Sequence, residues 1–255
     1  MRALSAIYLR ELRAYLHSSI AYVLWVVFLL ITGYFFFTGV ASYSMASLQA
    51  MQKPMFMRIN LQEWLISPLL GNMSVIMMFI TPLLTMRLIS EEKRIGTLEL
   101  LLSYPLTDLS VVLGKYLAAL TMLALILAPT LVHLAILVAL GDLYWPAVLV
   151  GYFGLLLEGG GFLALGLTTS ALTENQIVAA VAGFAGLLFL WIVGWSSSVV
   201  GPEIGAMLKG LSLSSHFENF SKDLLDTADL VYFVVFIGFF LFLSVRALEA
   251  KRWKA

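Results

Sequence analysis

The chain has 255 residues, 61% of them hydrophobic and only 12% charged, with fifteen basic and fifteen acidic side chains and no cysteine. Soluble domains carry about 25% charged residues, so most of this surface needs lipid as its solvent. The missing cysteine excludes disulfides and thiolate metal sites.

In chain order, a short polar and basic stretch comes first. An uncharged run from Ser18 to Gln49 follows. That run is far longer than the apolar core of a signal peptide, so the expectation is an uncleaved membrane helix. Runs of about 20 apolar residues suffice to cross the hydrocarbon. The uncharged runs predict spans over about 18–40, 64–89, 110–140, 145–172, 177–200 and 230–247. The sixth has a strictly uncharged core of only sixteen residues, 230–245, which Arg246 lengthens by snorkelling. Continuous apolar runs, and not ten-residue alternations, favour helices over a barrel. The fold class expected is all-α: one polytopic transmembrane domain over 1–255.

Six spans place both termini on one side. Eleven of the fifteen Lys and Arg residues fall on that side, and Lys53, Arg58, Lys209 and Lys222 fall on the other. The excess predicts cytoplasmic termini. Two external segments are then expected, around 41–63 and over 201–229. In the second, Phe217, Phe220 and Leu224 recur at helical spacing, which predicts a short helix in the outer interface, with a plain capping loop as the alternative.

The charged block ISEEKRIGTLELLLSYPLT lies between spans two and three. Ile95, Leu98, Leu101 and Leu102 fall on one helical stripe, with Glu92, Lys93 and Glu99 elsewhere, and Pro105 stops the helix. A cytoplasmic helix over 90–104 is expected, either an interfacial linker or a docking element. Thr107 or Asp108 caps the span that follows.

Two ionisable groups lie within spans: His133 in the third and Glu158 in the fourth, the latter beside Gly159, Gly160 and Gly161. A lone carboxylate at mid-bilayer costs at least about 2.5–3.5 kcal/mol, so it must be neutral, paired or facing water. The two groups come within reach if their faces match. They are either separately satisfied packing residues or a substrate or proton site. The glycines favour close helix contact. No phosphate-binding loop is present, because the Gly114-Lys115 pair is preceded by Leu109 and followed by Tyr116 where the motif needs Gly and Ser or Thr.

The segment TMRLISEEKRIGTLELLLSYPLTDLSVVLGKYLAAL resembles the signature region of ABC-2 type export permeases, closest to their gliding-motility-associated branch. LTTSALTENQIVAA, SSHFENFSKDLLDTADLVYF and FLFLSVRALEAKRW extend the resemblance over almost the whole chain. It implies that the 90–104 helix is the coupling helix seated on an ATPase subunit, with Glu91, Glu92, Lys93, Arg94, Gly96, Thr97, Glu99 and Leu102 matching the motif. It also implies an amphipathic interfacial helix over 1–17. Leu4, Ile7, Tyr8, Leu12 and Tyr15 would face lipid or the third span, with Arg10, Glu11 and Arg13 in water. The implied protein is a non-enzymatic permease of a bacterial cytoplasmic membrane. Its expected partners are cytoplasmic ABC ATPase subunits that bind ATP and Mg, a second identical or related permease, and membrane lipids. A periplasmic partner stays open and nucleic acid is not expected. Two other functions stay open as well: mechanotransmission to an extracytoplasmic partner, and ion-coupled transport through Glu158 and His133.

Overall fold

The computed structural model describes residues 2–52, 60–97, 107–140, 145–196 and 200–252. The described elements are all helical. They are α1 (Arg2–Leu16), α2 (Ser19–Gln52), α3 (Ser67–Thr85), α4 (Ser90–Arg94), α5 (Asp108–Leu127), α6 (Leu131–Leu140), α7 (Trp145–Leu172), α8 (Gln176–Ser196), α9 (Pro202–Leu211), α10 (Leu213–Ser221) and α11 (Thr227–Arg252). Among the described residues, six helical stretches are long and apolar enough to cross a membrane. They are α2, the Gln62–Arg94 stretch that includes α3 and α4, α5 with α6, α7, α8 and α11. The expected all-α, six-span architecture is therefore present.

Local sequence accounts for where the helices bend and stop. Pro82 lies inside α3 and removes a backbone donor, while Thr85 donates its hydroxyl to Thr81 O at 2.9 Å. Pro129 sets a single 3₁₀ turn, Ala128–Thr130, between α5 and α6. Thr107 caps α5, accepting from Ser110 N through its side chain.

Several boundaries differ from the sequence reading. The first span does not stop near 40: α2 continues to Gln52, through a moderately polar stretch that still has good helix formers. The sixth begins at Thr227 and carries Asp229 inside it, because Asp229 is buried and bonded by neighbouring side chains. The helix expected over 90–104 is interrupted. After Arg94 the chain turns through Gly96 at φ +73°, a left-handed conformation that glycine adopts freely. Glu99 and Leu102 lie outside the described residues.

The fourth span is the centre of the bundle. Its small residues let other elements come within backbone distance. A Cβ added at Gly151 would overlap Leu70, one at Gly154 would overlap Phe220, and one at Gly166 would overlap Thr85. Phe217 and Phe220 of α10 are buried on this surface. So α10 packs onto the fourth span and does not lie with its apolar face in lipid. Leu224, expected on the same stripe, falls beyond the helix end and is exposed, because Lys222 caps α10 and Asp223 turns at φ +65°.

Gly154→Leu will push α10 off the fourth span. Overpacking of this kind costs about 1–3 kcal/mol, read as a lower Tm of the detergent-solubilised protein. Gly238→Ala, at a site with nothing within 4 Å of the new methyl, will leave Tm unchanged or slightly raised.

Candidate functional site

The chemistry-bearing side chains gather at the end of the bundle that carries the termini. Lys115, about two turns into the third span, has a side chain only 1% exposed. Its ammonium lies 3.0 Å from Glu11 Oε1 of α1 and 3.0 Å from Glu92 Oε1 of α4. Arg10 bonds both of those carboxylates, at 2.7 Å in the case of Glu11. Two acids and two bases from three elements thus form one node. Burial alone would raise the Glu11 carboxyl, but Lys115 and Arg10 outweigh it and hold it below the usual carboxylate range. Tyr15, one turn on from Glu11, donates to Leu84 O at 2.8 Å. Burial first, and the Glu11 charge second, push its phenol up.

A second set of bonds fixes α4 to the fourth span. Ser170 Oγ accepts from Ile89 N and Ser90 N, both at 3.1 Å, and donates to Met86 O at 3.0 Å. Lys93 donates its ammonium to Ala171 O. The 86–94 turn is therefore held by backbone-directed bonds on one side and by the ionic node on the other. A cavity of about 330 Å³ opens between α1 and this turn, lined by Tyr15, Ser18, Arg87, Glu91 and Ile95 among others. At its rim Arg94, Ile95, Gly96 and Thr97 are exposed, and Ile95 is 59% exposed.

The eight expected coupling residues thus divide. Arg94, Gly96 and Thr97 face outward, and Glu91 is half-buried at the rim. Glu92 and Lys93 are turned inward as fasteners. Glu11, expected in water, is bound to Lys115 because the buried ammonium needs a counter-charge. Ile7 and Tyr15 are buried where α1 packs on the third span, as one of the two expected placements had it. Lys115, Arg10, Glu11 and Ser170 were not singled out from sequence as site residues. The one available signal was a lysine set within VVLGKYLAAL, an otherwise apolar run.

Residues 5–219 match the family model described as ABC-2 family transporter protein. The chain belongs to the ABC-2 transporter family. No curated protein matches it significantly. The family is one of transporter membrane components that associate with ABC ATPase subunits, and such components are generally not enzymes themselves. In this ABC-2 permease the node at Lys115 sits where the loop between spans two and three meets the bundle.

The intramembrane pair is not brought together. His133 stacks on Phe36 of the first span, with ring centroids 4.8 Å apart. Glu158 is fully buried against the second span, where Ser74 is its polar neighbour, and among the described residues neither carboxyl oxygen has a partner in good hydrogen-bond geometry.

Two outcomes follow. Lys115→Met leaves Glu11 and Glu92 without their buried counter-charge, at a cost of about 3–5 kcal/mol. Because the folded Glu11 carboxyl titrates below its ordinary value, its stabilisation is complete at neutral pH. That stabilisation is lost as pH falls through the folded value. Native protein will therefore lose Tm on acidification below the usual carboxylate range, and Lys115→Met will flatten that acid limb.

Glu158→Met replaces a buried carboxyl whose polar neighbour is Ser74, without a well-formed hydrogen bond, by an apolar side chain of similar volume. Each unsatisfied polar group costs about 1–3 kcal/mol, so Tm in detergent will rise or hold. A fall would show that the carboxyl makes a stabilising interaction.

Proposed function

We propose that this chain is the membrane subunit of an ATP-driven exporter, with the 90–97 turn as the surface on which a separate cytoplasmic ATPase docks. ATP and Mg bind that partner, and two permease copies or related permeases form the transmembrane pathway. The observation that carries this reading is Ile95. A large apolar side chain, 59% exposed and flanked by exposed Arg94 and Gly96, stands on a turn clamped from behind by ionic and backbone-directed bonds. A rigidly held turn that presents one apolar anchor and one arginine is the composition of a protein interface centre.

The Lys and Arg excess on this side supports placing it in the cytoplasm, in a bacterial inner membrane. On this reading Arg94, Ile95 and Glu91 make contact, and Glu92 and Lys93 transmit displacement to α1, the third span and the fourth span.

Ile95→Asp with Arg94→Glu will reduce co-purification of the ATPase subunit at least about tenfold, the equivalent of 1.4 kcal/mol, while membrane insertion is unchanged. Glu92→Gln will keep co-purification and lower ATP-dependent transport per ATP hydrolysed. Undiminished binding of the ATPase to the Ile95→Asp, Arg94→Glu chain would remove the docking assignment.

A further inference from the structure

At the opposite end of the bundle, α9 runs from Pro202 to Leu211 and ends against a stacked pair of rings. His216 of α10 lies on Tyr232 of the sixth span, centroids 3.9 Å apart and planes within 19°. Both ring nitrogens of His216 face acceptors. Nδ1 is 2.6 Å from Asp229 Oδ1, and Nε2 is 3.2 Å from Gly210 O. A neutral imidazole has one N–H and one lone pair, so it can donate to only one of these oxygens. The imidazolium donates to both.

The oxygens have few other options. Asp229 is 5% exposed, and its second oxygen is occupied by Asn219 Nδ2 at 2.7 Å. Gly210 O is one of the last carbonyls of α9, which have no partner within the helix. The next, Leu211 O, accepts from Tyr232 Oη at 2.9 Å. A cation at a helix C-terminus is also favoured by the helix dipole. The His216 side chain is 18% exposed, so protons reach it from water.

What the stack fastens is the roof of a cavity. Lys209 of α9 and Ser215 and Phe217 of α10 line a space of about 570 Å³, whose other walls include Asn72 of the second span and Trp191 of the fifth. We propose that His216 is a proton-binding site that locks α9 over this cavity: the protonated ring ties Asp229 to the end of α9, and loss of the proton leaves that end held by the Tyr232 bond to Leu211 O, so that it opens more readily.

Asp229 and Tyr232 are the titratable side chains in contact with the ring. The others on the surrounding elements are Glu203 and Lys209 on α9, Glu218 and Lys222 on α10, and Tyr152 and Glu158 on the fourth span, with Asp226 just before the sixth. Glu218 is paired with Lys222. Among the described residues, Asp229 alone forms an ion pair with His216.

The chain has no native cysteine, so spin labels at Met207→Cys on α9 and Val231→Cys on the sixth span report the lock directly. Their distance distribution is measured in nanodiscs between about pH 5 and about pH 8, the range in which histidine changes charge. Native His216 will give one short population at the acid end and a growing longer population at the alkaline end. His216→Phe keeps the ring stack without donors and will show the longer population throughout. His216→Arg keeps charge and donors and will show the short population throughout. A pH-independent distribution in the native background would overturn the proposal. So would a pH response that survives in His216→Phe.

Discussion

The buried ammonium of Lys115 dictates the arrangement of the face that carries the termini. An ammonium removed from water costs several kcal/mol unless counter-charges and hydrogen bonds replace its hydration. The third span alone cannot supply them, since its neighbours in VVLGKYLAAL are apolar. The counter-charges come from elsewhere in sequence: Glu11 from α1 and Glu92 from α4, each 3.0 Å away. Satisfying one lysine therefore fixes where the amphipathic N-terminal helix lies and how the turn after the second span is aimed. Arg10 closes the node by bonding both acids.

The fourth span supplies the complementary rigidity. With no hydrophobic force between helices in lipid, close backbone approach and hydrogen bonds hold spans together. Gly151, Gly154 and Gly166 admit Leu70, Phe220 and Thr85 to its surface. Thr168 donates to Phe240 O of the sixth span at 2.8 Å. Ser170 then reaches the backbone at Met86, Ile89 and Ser90. One helix thereby connects the α4 turn at one end to α10, and so to the cavity under α9, at the other.

Spans were legible in the sequence because an apolar run of sufficient length has one stable solution in lipid. Their ends were less so. Gln52 and Asp229 continue helices that hydropathy alone would stop, since backbone bonding and side-chain partners decide the ends. In the candidate site the helical phase that the pattern predicts is not kept. The spacing puts Ile95 on an apolar stripe, but the left-handed Gly96 follows it directly and Ile95 is exposed. Glu92 and Lys93 read as a solvated face, because their partners Lys115 and Ala171 are 23 and 78 residues distant and no periodicity encodes such a pairing. Helical spacing predicts that Phe217, Phe220 and Leu224 share an interfacial face; instead the two phenylalanines are buried on the fourth span, and a left-handed Asp223 ends the helix before Leu224.

The two fastenings of the α4 turn differ in stiffness, and that difference sets which parts move together. Ser170 is a short side chain bonded to three backbone atoms, so the 86–90 turn and the fourth span shift as one body. Lys115, Arg10, Glu11 and Glu92 are long side chains, able to hold their ion pairs while their backbones slide by an ångström or two. On the docking reading, a push delivered at Ile95 reaches spans two and four through the short Ser170 bonds, and reaches α1 and the third span through the longer charge cluster and the Tyr15 bond to Leu84 O. The cavity beside Tyr15 and Arg87 lies between these two bodies, and the Tyr15 hydroxyl bridges it to Leu84 O. Pro82 lies just inside this junction and lacks the backbone donor that would stiffen α3, so the second span bends there most easily. On the same reading, displacement at the turn changes the angle of the second span, whose other half, at Asn72 and Ser74, forms a wall of the cavity under α9.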